Sequence, residues 1–368
     1  MKLIANANDL SIALGQVIKA ASNKSTNPIL EGILLKASAG TLTLIATDLE
    51  IAIERTCQAD VKIEGETVVS GRLFTDFMRK IGEPQVELTL IDGRLKVKYG
   101  DNETMLSVFA AADYPKIPTL TEAQTFTIVR RELKDLINKI KLSVSLDDSR
   151  PVLKGALLEI SDITLTGVAL DGYRLAKCTK SIEKTSAMMS AIVPLRALQE
   201  IAGLLDESED LVEVGIQKNY IMVSLEHTQL ISRLLDGDFI NYRQIIPLEF
   251  TTSVIVPKSL FEQSIERATL LAKAEKTYLV KFNLSQETLH ITSNSELGNI
   301  SEKVPVRITG NEIAIAFNAK YFIDLLKTAS VDHIQLKMNE PSQPCVVLPS
   351  GAVEDEFLYL VLPVRIMD

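Results

Sequence analysis

Apolar residues recur along the chain in two rhythms. In "VELTLIDGRLKVKY" (86–99) they alternate with polar residues on either side of Asp92-Gly93, which predicts two half-buried strands joined by a type I′ turn, because that pair tolerates positive φ. "LVEVGIQKNYIMVSL" (211–225) and "HIQLKMNEPSQPCVVL" (333–348) have the same form. In the second rhythm apolar residues fall three and four apart, as at Leu133, Leu136, Ile137 and Ile140, the spacing of an amphipathic helix. Six times a short apolar strand runs straight into such a helix, starting at Lys2, Glu66, Phe126, Ser190, Ser253 and Ile313. Asn8 or Asp9, Pro194 and Pro257 stand where helix starts are expected.

These elements repeat. "PILEGILLKASAGTLTLIATD" (28–48) aligns without a gap on "PVLKGALLEISDITLTGVALD" (151–171), with eleven of 21 positions identical at an offset of 123 residues. Three units of that length account for the 368 residues, and "TYLVKFNLSQETLHITSNS" (277–295) has the layout of a third copy with little identity. The expectation is an α+β protein of three tandem similar domains, 1–123, 124–250 and 251–368, each with two helices packed on antiparallel sheet. A unit this long can hold a core of its own, unlike a solenoid repeat.

Charge alters the picture. The chain carries a formal net charge of −9, which at face value argues against a nucleic-acid partner. The six helical windows (9–24, 71–81, 131–143, 195–206, 258–276 and 319–329) together carry +6, however, leaving −15 for the remainder. Positive charge gathered on one class of helix suits a face turned to a polyanion, although Lys and Arg are also ordinary formers of solvated helix. The 3 cysteines, at 57, 178 and 345, provide neither a disulfide framework nor a metal-binding pair. With no apolar run long enough for a signal peptide or a span, a cytoplasmic protein is expected.

Candidate chemistry is sparse. Phosphate-loop, nucleophile-elbow, zinc-protease and dinucleotide motifs are missing, and the histidines at 227, 290 and 333 stand apart. Asp48 and Glu50 could form a carboxylate pair for Mg²⁺, but Asp48 recurs as Asp171 while the third copy has Ser295, and an Asp at a strand end commonly serves a turn. No catalytic residue, metal site or cofactor is expected. From the residues alone, a non-catalytic protein that turns a helical face to a polyanion, an enzyme with a site between domains and a ligand-binding repeat protein all stay open.

"NPILEGILL", "GTLTLIATDLE", "AADYP", "LTGVALDGYRLA", "LDGDFINYRQIIP" and the terminal "YLVLPVRI" together resemble the bacterial DNA sliding clamp family, the beta subunits of the replicative DNA polymerase III. The resemblance runs from Met1 to about Ile366. It implies a head-to-tail homodimer that closes a ring around double-stranded DNA without reading sequence, helices inward and sheet outward, acting as a non-catalytic processivity factor. By the same resemblance Lys24, Arg72, Arg150 and Arg196 face DNA. A pocket of Leu153, Gly172, Tyr173, Arg174, Leu175, Ile240, Ile245, Leu360, Val361, Leu362, Pro363, Val364 and Arg365 is implied to take short linear motifs of the replicative polymerase, the clamp loader, repair polymerases and mismatch-repair proteins. Ring closure is implied to join the strand at about Glu103 to Phe109, with Leu106 and Val108, to Leu270 and Leu271. Ile240 and Gln244 replace a Pro and an Arg common in relatives, Pro151 and Val152 stand where the best-known member has aromatics, and Met367 and Asp368 extend past the usual end.

Overall fold

The fold was analysed on a computed structural model that describes residues 1–183, 185, 188–274, 278–285, 287–351 and 356–365. Thr277 and Gln286 of the third copy's sequence match, and the terminal Ile366, Met367 and Asp368, lie outside the described residues.

Among the described residues there are six α-helices, α1 (Ala7–Val17), α2 (Gly71–Met78), α3 (Arg130–Ile140), α4 (Leu195–Leu204), α5 (Lys258–Ala274) and α6 (Ala319–Thr328), each entered directly from a strand. The strand pairings are antiparallel throughout. This is the expected α+β class with two helices in each third of the chain. Helix α1 starts earlier than its sequence suggests: Asn6 is the cap, its Oδ1 accepting the Asp9 N–H at 3.1 Å, so Asn8 and Asp9 fall inside the first turn. Asp92 and Gly93 both take positive φ, 49° and 72°, as a type I′ turn requires.

The repeat is a repeat of geometry as well as letters. Ala39 and Asp162 turn with φ of 48° and 49°. Thr41 Oγ1 donates to the Ser38 carbonyl at 2.9 Å, and Thr164 Oγ1 to Ser161 at 3.0 Å. Cross-strand hydroxyl pairs follow, Thr43 with Thr56 at 3.4 Å and Thr166 with Thr179 at 3.1 Å. At the strand ends Asp48 Oδ1 accepts the N–H groups of Glu50 and Ile51, and Asp171 Oδ1 those of Tyr173 and Arg174. These aspartates are turn-builders, the alternative to a carboxylate pair, and Ser295 does related work in the third copy by accepting the Leu297 N–H. Where the first copy has Leu44, the second has Gly167. A Cβ there would lie 2.7 Å from Leu136 and Ile140 side-chain carbons of α3, so only glycine lets that helix pack this close.

Two compact units divide the chain, Met1–Arg130 with Gly203–Leu234, and Arg131–Ala202 with Leu235–Asp368. In the first, a twelve-stranded sheet carries the strands of the first repeat into those of the second through Ile51–Ile63 beside Thr228–Arg233. In the second, a nine-stranded sheet does the same through Arg174–Ser181 beside Phe357–Val361, and a separate four-stranded sheet is packed by α5 and α6 around Phe261, Phe282, Phe317 and Phe322. The strands of the middle repeat are thus shared out, Gln124–Val129, Leu211–Gln217, Tyr220–Leu225 and Thr228–Arg233 to one unit and the rest to the other.

Candidate functional site

In the second unit the sheet is apolar on both faces. Gly167 and its neighbours meet α3 on one face, while Leu157, Val168, Leu170, Leu175, Val346, Leu348 and Leu360 cluster on the other with Leu153, Ile192 and Tyr242. What covers that second face is no α-helix but the segment from Leu235 onward, whose Leu235, Phe239, Ile245, Ile246 and Phe250 pack partly buried on the cluster. Tyr242 fixes the segment: its ring is buried, and its hydroxyl donates to Glu159 Oε2 at 2.6 Å while Arg243 makes an ion pair with the same carboxylate at 2.8 Å. Burial and the Glu159 carboxylate push the Tyr242 hydroxyl well above its ordinary pKa, so it stays a donor.

Five of the expected pocket residues, Leu153, Leu175, Ile245, Leu360 and Leu362, therefore belong to one apolar surface. Gly172, at φ +94°, turns the chain at its edge with open space where a side chain would stand, and the next residue, Tyr173, is 64% exposed. The Tyr173 carbonyl accepts the Leu362 N–H at 2.8 Å, and two residues on the Val364 N–H reaches the Ala316 carbonyl at 2.8 Å. Leu362 and Pro363 are half-buried, and Ile240, Val364 and Arg365 are exposed. Val361 stands apart from this surface. Alternation along Phe357–Val361 turns it to the opposite face with Tyr359, where it is fully buried, so its side chain backs the sheet and touches nothing that docks on the apolar surface.

Arg174 also departs from the expectation of a rim residue open to a ligand. Its Nε donates to Asp171 at 2.9 Å and its Nη1 to Asp324 at 2.7 Å and to the Tyr359 hydroxyl at 3.2 Å, with the guanidinium 4.7 Å from the Tyr321 ring centre. Burial opposes the charge, but Tyr359, Asp324 and Asp171 more than offset it and the pKa rises. The arginine ties the Asp171 turn to helix α6 through Asp324 and to the strand Phe357–Val361 through Tyr359. Beside it opens a hollow of about 610 Å³ whose lining includes Leu146, Tyr173, Arg174, Lys320, Tyr321 and Asp324. Sequence reasoning missed Asp324 and Tyr321, which stand 150 residues away with no motif to mark them.

Among the described residues no group of three or more His, Cys, Asp or Glu could hold a metal ion, and no helix is long and apolar enough to cross a membrane. The cysteines are buried, with the Cys178 thiol pushed up to about 12 by burial.

Profiles of the DNA polymerase III beta subunit match this chain in order, the N-terminal domain over residues 1–118, the central domain over 127–241 and the C-terminal domain over 243–365. Beta sliding clamps from Proteus mirabilis and Halalkalibacterium halodurans are 32% and 31% identical to it, over 100% and 96% of both chains. The chain belongs to the beta sliding clamp family. A solved DNA polymerase sliding clamp from Bacillus subtilis superposes over 100% of both chains with a TM-score of 0.96 at 28% identity.

The remaining residues that the clamp resemblance marks fall as follows. Lys24 is exposed on the loop before the short helical turn Pro28–Glu31. Arg72, the second residue of α2, donates Nη2 to Asn23 at 2.7 Å and so ties that loop to the helix. In the second unit Arg150 is exposed at the head of the equivalent turn Pro151–Lys154, and Arg196 is exposed at the second position of α4. The two loops are built alike, since the Ser22 N–H donates to Leu30 and the Ser145 N–H to Leu153, both at 2.9 Å. In the strand Asn102–Phe109, residues Asn102 to Ser107 pair with Tyr99 to Arg94 on one side, while on the other only Val108 and Phe109 meet Val69 and Val68. Leu106 and Val108 are half-buried there, and the backbone before Val108 is an open edge among the described residues. On α5, Leu270 is 72% exposed and Leu271 half-buried.

Proposed function

We propose that this protein is a DNA polymerase processivity factor, a sliding clamp that encircles double-stranded DNA and tethers the replicative polymerase. The observation that carries the reading is the ordered match of all three clamp profiles along one chain. Two copies join head to tail, the open edge before Val108 meeting the surface around Leu270 and Leu271, so that an edge which would otherwise invite aggregation is paired. The repeats 1–123, 124–250 and 251–368 form equal arcs of the ring. Lys24, Arg72, Arg150 and Arg196 attract phosphates without register, and no base is read, while the acidic remainder of the chain discourages DNA from binding outside. The apolar surface of Leu153, Leu175, Ile245, Leu360 and Leu362 receives linear motifs of the polymerase, clamp loader and repair proteins, its aliphatic walls suited to such segments. The protein is a non-catalytic subunit of the cytoplasm.

Retention on DNA tests the ring. Loaded protein stays on nicked circular duplex through a high-salt wash and is lost when the circle is linearised, because a topological link ends at a free end. Equal retention on both forms would refute it.

A further inference from the structure

We propose a second, smaller peptide-docking notch at the seam between the first and second repeats, which takes one aliphatic anchor of an extended segment of a partner protein. The inference rests on the reading of the Leu153–Leu175–Leu360 surface as a peptide pocket, because the two seams share one frame. Ile231 stands opposite Ala52 as Leu360 stands opposite Leu175. The Arg233 N–H donates to the Glu50 carbonyl at 2.8 Å, as that of Leu362 donates to Tyr173. Asp48 builds the turn at one seam and Asp171 at the other. Tyr114 is buried three residues before Ile117, as Tyr242 is before Ile245.

Within that frame the first seam keeps a hollow of about 160 Å³, lined by Leu49, Ala52, Ile117, Tyr220 and Ile231 with Lys116 at hand. Alanine in place of leucine lowers its floor. Thr47 and Glu50 also line the hollow; by volume alone a cavity of about 150 Å³ admits a benzene ring, so this one has room for a single leucine-sized side chain and no longer apolar run. Leu49 points to use. It stands where the second seam has Gly172, takes φ +81° although it bears a Cβ, and is 60% exposed. Left-handed backbone and an exposed leucine are each unfavourable; the Thr47 hydroxyl, which accepts the Leu49 N–H at 3.0 Å, and the Asp48 turn hold the backbone, while the side chain stays mostly in solvent. A partner side chain lying between Leu49 and Ile117 would cover it.

The test uses the full-length protein with labelled Leu and Ile methyl groups and N-acetyl-leucine methylamide as the probe. Leu49, Ile117 and Ile231 are expected to show saturable shifts, as are Leu175 and Ile245 of the second seam. Ala52→Leu fills the floor and abolishes the first set while the second keeps its affinity within about twofold. Leu49→Gly, which leaves the core untouched, weakens the first set at least about fivefold. If the second set saturates while the first stays still, or if the first survives Ala52→Leu unchanged, the notch falls and the pocket reading stands. If neither set moves, the pocket reading itself falls and the notch with it.

Discussion

Replacing Arg174 by alanine removes the group that faces Asp171, Asp324 and the Tyr359 hydroxyl at once. The side chains of the ion pairs are 11% exposed for the arginine and 15% and 24% for the two aspartates, so solvent screens them little. Removing one member of a buried pair typically costs about 3–5 kcal/mol, most of it from the carboxylates left behind. Because both aspartates keep a path to water, the lower end, about 3 kcal/mol, applies. For a unit of this size that corresponds to a fall of about 6–12 °C in the melting transition. Arg174→Lys recovers less than half of the loss, since a shorter side chain ending in a point-like ammonium cannot reproduce the planar fork that meets Asp171, Asp324 and the Tyr359 hydroxyl together while lying over Tyr321. Scanning calorimetry of wild type, Arg174→Ala, Asp324→Ala and the double variant gives the assay, and the cycle should return a coupling of about 1.5–3 kcal/mol. A fall below about 2 °C for Arg174→Ala, or additive single effects, would refute the claim that this arginine staples the seam and return it to the rim as a ligand-binding group.

Two further expectations follow from single groups. Burial pushes the Tyr114 hydroxyl up to about 12 from 10.0, while the Thr47 N–H that it accepts at 3.1 Å works the other way. With the folded pKa above the unfolded one, the folded state holds its proton longer. The stabilisation is complete below pH 10 and disappears as pH rises toward 12, about 2–3 kcal/mol in all. Denaturant midpoints followed across that window should fall less steeply in Tyr114→Phe, and identical slopes would sink the assignment. For the subunit interface, Leu270→Asp with Leu271→Asp should sediment as a 40.5 kDa monomer where the wild type runs at twice that mass; an unchanged dimer would exclude these leucines from it.

Local pattern carried much of the fold in the sequence. Period-two runs and the Asp92-Gly93 turn were legible because each depends on neighbours in the chain, and the six strand-to-helix entries fell within a few residues of their observed positions. The cap of α1 was displaced from Asn8 or Asp9 to Asn6 because three asparagine or aspartate residues compete there, and only the backbone decides which one lies just outside the helix. Lateral pairing was not legible. Alternation in Ile51–Ile63 says which side chains point inward but not that Thr228–Arg233 lies beside it. The apolar surface was half legible for the same reason. The resemblance marked Leu153, Leu175 and Leu360, whereas the turning away of Val361 and the engagement of Arg174 by Asp324 depend on contacts across 150 residues or more.

Joining repeats through a β-ladder bears on how a docking surface at the seam can work. At the second seam five residues from Arg174 to Cys178 pair with Val361 to Phe357, so the floor of the apolar surface is continuous hydrogen-bonded sheet and the two repeats that form it cannot hinge there without breaking several bonds together. A linear segment that docked on it, as proposed, would lose mainly its own freedom, because the protein side is ordered beforehand. The wall opposite is different in kind. Ile245 rides on a segment without strand structure, held by Tyr242 and Arg243 on the single carboxylate of Glu159. If partner segments dock here, adaptation to different sequences is expected in that wall, which side chains alone hold in place, rather than in the hydrogen-bonded Leu175–Leu360 floor, and Ile240 and Gln244 lie on the wall.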